Sequence, residues 1–230
     1  MGNKPSALSQ GSAQDVSSLF NNPRYSDLTI KCGDRTWSVH KNIVCTRCEF
    51  FDGACKGGFQ EATSNEITLD HDEPDAVHAL LEYIYSAEYG SQGHEALSLH
   101  VEVAIIADKY NMTHLNRLAT EKFTQCSANI ARDGGTNPSP FTRAIALLYS
   151  TDINALQGIR DCAMEVLMKH GDKILPYGRP SALRLLVVDT PSLAADLFSK
   201  FQEQAMKQFD PQAQPQPDLG KARTVRGSIP

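Results

Sequence analysis

Tyr25-Ser26-Asp27-Leu28-Thr29-Ile30-Lys31-Cys32-Gly33-Asp34-Arg35-Thr36-Trp37-Ser38-Val39 alternates apolar and polar side chains on both sides of a turn-forming pair. Leu28, Ile30 and Cys32 share one face and Thr29 and Lys31 the other, the period of two that a half-buried strand requires. Gly33-Asp34 supplies the turn. Thr36 to Val39 then runs back antiparallel with Trp37 and Val39 on one face, so Leu28 to Val39 reads as a β-hairpin.

Downstream the period changes to that of helices. Lys41 to Lys56 contains no Pro and a single Gly, Gly53, and places Val44, Cys48 and Phe51 near helical spacing, which predicts one or two short helices ended by Gly57-Gly58. Ile67-Thr68-Leu69 is a short apolar strand. Asp72-Glu73-Pro74-Asp75 combines a cap-competent Asp, first-turn acid and an early proline, all signals of a helix start. Ala76 to Ser86 continues that helix, with Val77, Leu80, Leu81 and Ile84 at i, i+3, i+4 and i+7. Leu97, Val101, Ala104 and Ile105 stripe the next helix, which ends at Tyr110-Asn111. Met112, Leu115, Ala119 and Phe123 stripe another, and the short connection implies an αα-hairpin packed on the sheet.

Around this unit the chain changes character. Residues 1–22 are rich in Gly, Ser, Asn and Gln and read as a flexible segment, followed by a domain over 23–128. A Gly/Pro-containing linker over 129–140 leads to a helical extension at 141–209. There Phe141 to Ser150 carries the stripe Ile145, Leu148, Tyr149, and Leu156 to His170 carries Ile159, Ala163, Val166, Leu167 with Gly171 as the stop. A third helix spans Ser192 to Phe209. The tail over 210–230 is poor in apolar residues and reads as disordered.

Composition narrows the function classes. The 230 residues are 41% hydrophobic and 21% charged with a formal net charge of −5, so the chain can fold but has no general attraction for nucleic acid. No basic, aromatic-interleaved surface is visible either. No run approaches the ~18 apolar residues of a membrane span, and no secretory signal opens the chain, which points to cytoplasm or nucleus, or both. The six cysteines therefore read as free thiols. Cys45-Thr46-Arg47-Cys48 lacks a second ligand pair at finger-like spacing and reads as two small apolar side chains in a helix, so no metal and no cofactor is expected. There is no Gly-rich phosphate loop, no Gly-x-Ser-x-Gly elbow and no His-Glu-x-x-His, and lone histidines such as His71 and His100 carry no catalytic pattern. A non-enzymatic role is expected.

The segments Tyr25-Ser-Asp27-Leu-Thr-Ile30, Val39-His40-Lys41-Asn-Ile-Val44, Phe50-Phe51, Gly57-Gly58-Phe59-Gln60-Glu61-Ala62, Ile67-Thr-Leu69, Leu80-Leu-Glu-Tyr-Ile-Tyr85 and Ala107-Asp-Lys-Tyr110 stand in one order. In combination they resemble a BTB (POZ) domain, closely the form common in fungal proteins. The resemblance implies an α+β fold, with a β-hairpin and small sheet packed with helices and an αα-hairpin, followed here by an all-α extension. It implies a protein-docking module that pairs with a second copy of itself. Asp27 and Lys41 occupy the positions at which the family forms a buried charged pocket near its dimer interface, and a buried carboxylate does need such a partner. Asp27 capping a turn beside a solvated Lys41 is the plainer alternative.

Phe59-Gln60-Glu61 resembles the hydrophobic-x-Glu motif by which many BTB adaptors engage the cullin scaffold of ubiquitin ligases. An aromatic anchor with a neighbouring carboxylate makes a sensible hot spot, while a Phe packed on its own domain is the competing reading. The chain departs from typical ligase adaptors in showing no MATH or kelch-type substrate domain. Two readings follow: a cullin adaptor for an unnamed client protein, and a dimeric scaffold in transcriptional regulation or membrane-tethered assembly. The second draws on Met1-Gly2-Asn3-Lys4-Pro5-Ser6, which fits the N-myristoylation pattern, so a membrane is a partner only if Gly2 is acylated.

Overall fold

The computed structural model describes residues 16–56, 64–91, 96–132, 139–151, 153–174 and 181–208. Strand β1 (Leu28–Cys32) pairs antiparallel with β2 (Arg35–Val39), placing Leu28 opposite Val39 and Ile30 opposite Trp37. Gly33 turns the hairpin at φ +57°, the left-handed region that glycine enters without a Cβ penalty. A third strand, β3 (Glu66–Thr68), adds parallel to β1 with Ile67 beside Ile30, so the sheet order is β2-β1-β3. Leu28, Ile30, Cys32, Trp37, Val39 and Ile67 are all buried, as the alternation demands.

Two short helices follow, α1 (Lys41–Arg47) and α2 (Glu49–Lys56), separated where Cys48 takes an extended conformation. Cys48 is buried at this break while Cys45 is half-buried on α1. Helix α3 (Pro74–Ser86) buries Val77, Leu80, Leu81 and Ile84, the stripe read from the sequence. Helices α4 (Ala96–Lys109) and α5 (Thr113–Arg132) form the αα-hairpin, turned by Asn111 at φ 56°. The helical end of α5 reaches into the stretch read as linker, and α6 (Ser139–Ser150) begins before that stretch is over.

Three details depart from the sequence reading. The flexible N-terminal stretch is shortened, because Val16, Leu19 and Phe20 pack on the core, with the Phe20 ring 5.1 Å from His78 and 5.6 Å from Tyr85. Asp72 does not cap α3. Glu73 holds the cap position without a side-chain bond, and the Asp72 carboxylate instead accepts from Lys109 Nζ at 2.8 and 2.9 Å and from the Tyr110 hydroxyl at 2.6 Å. Helix α7 (Gln157–Ile174), entered through a 3-10 turn at Asn154–Leu156, does not stop at Gly171 but kinks at His170 and runs on.

The extension also contains α8 (Ala182–Asp189), which the sequence reading missed, and then α9 (Pro191–Gln208). Ser181 caps α8 by accepting from the Arg184 amide at 3.2 Å. Phe141, Leu148, Ile159, Leu167 and Leu193 belong to the same buried cluster as the sheet and α3–α5, so one core continues through the described residues.

Candidate protein-interaction surface

Asp27 precedes β1 and Lys41 opens α1, and the hairpin brings them together. The Asp27 carboxylate accepts from the Lys41 backbone N–H at 2.7 Å, and the Asp27 N–H donates to the Val39 carbonyl at 3.2 Å. The α1 cap residue, His40, makes no side-chain cap bond, so Asp27 satisfies a first-turn amide that α1 would otherwise leave open. The Lys41 ammonium turns instead to the Asn65 side-chain oxygen at 2.5 Å, just before β3. Within one chain Asp27 is exposed and Lys41 half-buried. Beside them Tyr25 is 79% exposed at φ 63°, with the Arg24 guanidinium 5.1 Å from its ring centroid.

Beneath this surface lies a buried network that the sequence reading quoted but gave no role. His40 Nε2 lies 2.9 Å from the Arg24 carbonyl, which can only accept, so Nε2 carries the proton. His40 Nδ1 then accepts from the Tyr85 hydroxyl at 2.9 Å, and that oxygen accepts from the His40 backbone N–H at 2.9 Å. Burial pushes the Tyr85 pKa up to about 12, which keeps its proton in place for the bond. The His-Lys pair at the helix start is thus one buried orienting group followed by one surface cation.

On another side, a groove runs between α1–α2 and the α4–α5 turn. Three cavities of about 390, 300 and 250 Å³ meet at Asn111 and Met112. Arg47 lines two of them and donates to the Ile84 carbonyl at the C-terminal end of α3. Phe50, 39% exposed, packs on the buried Tyr110 with ring centroids 4.5 Å apart, which stiffens the α2 side. Left-handed Asn111 was legible as a helix end, but not as the floor of a groove.

Phe59, Gln60, Glu61 and Gly2 lie outside the described residues. In the sequence Phe59 follows Lys56, the last residue of α2, by three positions.

A Cys–His pair exists as well: Cys126 Sγ is 3.6 Å from His100 Nε2, and Tyr89 Oη is 2.8 Å from His100 Nδ1. His100 is fully buried, and burial, with Lys122 nearby, lowers its pKa to about 4. Burial raises the Cys126 thiol in turn. Both shifts favour the neutral forms, the opposite of the thiolate–imidazolium pair that nucleophilic catalysis needs. Among the described residues no group of three His, Cys, Asp or Glu side chains is placed to hold a metal ion.

Residues 16–127 match the family model of the BTB/POZ domain, beginning where the packed N-terminal turn begins. The human Rho-related BTB domain-containing protein 1 is 25% identical over 123 residues, 53% of this chain and 17% of that protein. The human Rho-related BTB domain-containing protein 2 is 27% identical over 100 residues, 44% of this chain and 13% of that protein. This chain therefore spans less than a fifth of the length of either relative. Among solved structures, the BTB domain of zebrafish PATZ1 is similar at TM-score 0.42 and 15% identity, covering 54% of this chain and 98% of that one. The BTB domain of human gigaxonin is similar at TM-score 0.41 and 18% identity, covering 53% of this chain and 95% of that one.

Proposed function

We propose, from the premise that residues 16–127 are a BTB/POZ domain, that this chain pairs with a second copy and carries a client protein to a cullin-type ubiquitin ligase. BTB domains are protein–protein interaction modules, and the chemistry of the described surface suits docking. The observation that carries the ligase reading is the groove at Arg47, Asn111 and Met112, beside the helix pair whose last residue is followed three positions later by Phe59. A groove lined by apolar Met112 and polar Arg47 and Asn111 fits a partner helix, while Phe59 offers an anchor and Glu61 a carboxylate to orient it. Phe59→Ala is expected to lower cullin capture at least tenfold in a pulldown while leaving the thermal midpoint of the purified chain unchanged. Equal capture by wild type and variant overturns the ligase reading.

Self-pairing draws on Asp27 and Lys41. Asp27 is satisfied by the Lys41 amide yet exposed in one chain, so a second copy laid over it would enclose a carboxylate that already has a donor. Asp27→Asn keeps an acceptor for the amide but removes the charge. The expected result in native mass measurement is a shift from dimer to monomer; an unchanged mass with an unchanged melting midpoint removes the pocket role.

A second reading, a scaffold without a ligase role in transcription or at a membrane, is favoured by the extension. Helix α6 packs on α4 and α7 on α5, so these helices continue the domain's own core instead of building a separate client-binding unit. Under either reading the site of action is the cytoplasm, the nucleus or both, with membrane attachment only through acylated Gly2.

A further inference from the structure

Four of the six cysteines have neighbours of other kinds. Cys32 Sγ donates to the Asp72 carbonyl at 3.1 Å, Cys126 Sγ lies 3.6 Å from His100 Nε2, and Cys162 Sγ accepts from the Thr124 hydroxyl at 3.1 Å. Cys48 is buried at the break between α1 and α2, where its sulfur accepts from the backbone N–H groups of Phe50 and Phe51, first-turn amides of α2. Cys45 and Cys55 differ, because their side chains hydrogen-bond to each other. Cys45 is half-buried on α1, and Cys55 is half-buried in the last turn of α2. Cys45 Sγ also donates to the Phe51 carbonyl at 3.5 Å, one helical turn before Cys55, which holds the thiol against that turn.

We propose that Cys45 and Cys55 are a redox modification site: a small-molecule disulfide oxidises them to one intramolecular disulfide that bolts the end of α2 to α1, and a thiol reductant reopens it. Two sulfurs already in contact across two separate helices meet the first requirement of such a bond. The bond needs them about 2 Å apart, closer than hydrogen-bonded thiols, so the end of α2 must shift. Gly53 allows it. A Cβ there would meet nothing within 4 Å, so packing does not call for a glycine, and its effect is to loosen α2 just before Cys55. A disulfide that closes against such a shift is readily reduced, the behaviour of a reversible site and not of a structural staple.

Burial first, and then the hydrogen bond and charge of Cys55, raise the Cys45 pKa, so Cys45 is poorly suited to attack first. That leaves Cys55 to open the sequence. Its thiolate attacks oxidised glutathione, the S–S bond of the reagent breaks, and one glutathione thiolate leaves. With Cys55 held in a mixed disulfide, its charge no longer opposes ionisation of Cys45. Cys45 then gives its proton to water and attacks Cys55 Sγ, expelling the second glutathione thiolate. Two protein thiols thus lose two protons and two electrons, and one glutathione disulfide becomes two thiols. Cys45 lines the cavity of about 300 Å³ with Arg47 and Asp52, so the new bond lies in the wall of the groove. The site does not rest on the ligase reading.

The test is equilibration of the full reduced chain with mixtures of oxidised and reduced glutathione, then acid quench, intact mass, alkylation and peptide mapping with fragmentation. The expected product is lighter than the reduced chain by about 2 Da, with Cys45 joined to Cys55 and the other four cysteines alkylated. Cys45→Ser keeps a donor for the Phe51 carbonyl, so its melting midpoint in reductant should match wild type, while its Cys55 should stop at a glutathione adduct. Hydrogen exchange of the oxidised wild type should show the amides at the end of α2 slowed about tenfold, and dithiothreitol should restore the reduced rates. Mapping of the wild type decides the site even where a variant folds poorly. Alkylation of all six thiols at oxidising ratios, a bond that includes Cys48, or exchange rates unchanged by the bond overturns the proposal.

Discussion

Asp72→Ala is expected to lower the unfolding free energy by ~2–4 kcal/mol, the cost of stranding the buried partners of a charge–hydrogen-bond cluster. The Asp72 side chain is 7% exposed and receives Lys109 Nζ and the Tyr110 hydroxyl together. Lys109 is half-exposed and can turn to water, which keeps the loss below that of a fully buried pair. Tyr110 cannot: the residue is buried, and its hydroxyl pKa is pushed up by burial and then by Asp72, so it stays a donor in search of an acceptor. Asp72→Asn keeps that acceptor and removes only the charge, so it should cost about 1 kcal/mol. Urea midpoints at neutral pH, at constant m-value, measure both. A loss under 1 kcal/mol for the Ala variant would show that the clamp contributes nothing beyond contact. The clamp matters for docking because it ties the loop before α3 to the end of α4, immediately before the Asn111–Met112 floor of the groove. Asp72→Ala should therefore weaken partner binding at the groove as well as stability.

The same cluster marks how far the sequence could be read. Leu28 to Val39 was legible as a hairpin because alternation and a Gly-Asp turn are local and agree with each other, and α3 was legible because four apolar residues repeat at helical spacing. Asp72 was misread because the local rule, an Asp ahead of a Pro-containing first turn, competes with a partner 37 residues away that no local rule contains. The Ala107-Asp-Lys-Tyr110 motif carried that partner without saying what it held. Helix α8 escaped because eight residues with Leu and Val on several sides show no clear stripe. The packed turn at Val16 to Phe20 escaped because its surroundings are polar, and a few apolar residues find the core only once the sheet exists. Of the candidate site, Asp27 and Lys41 were placed together by the resemblance, but their bond through the Lys41 amide and the turn of the ammonium to Asn65 are tertiary facts. The groove is likewise assembled from residues of α1 through α5 and the turn at Asn111–Met112, which leaves no motif in the chain.

Between pH 4.5 and 6.5 the wild-type chain should show little change in stability from α4, because two residues on that helix titrate in opposite senses. Burial, aided by Lys122, lowers His100 to about 4 from 6.5, so its contribution is present above pH 6.5 and lost as the pH falls toward 4. Burial, with Glu73 and Asp75 adding to it, raises Glu102 to about 7 from 4.5, so its contribution is present below pH 4.5 and lost as the pH rises through 7. At about 1.4 kcal/mol per pKa unit, fully buried His100 accounts for ~3 kcal/mol, and half-buried Glu102, partly screened by water, for ~1–3 kcal/mol. Glu102→Gln removes the second contribution, so its stability should exceed wild type by ~1–3 kcal/mol at pH 7.5 and then fall steeply from pH 6.5 to 4.5 as His100 acts alone. His100→Gln should show the opposite slope, losing stability from pH 4.5 to 7, whatever its absolute stability. Urea unfolding at half-unit pH steps reads both slopes. If either variant follows the wild-type profile across this window, the residue it replaces does not titrate on folding in the sense described, and its burial is compensated by a partner elsewhere.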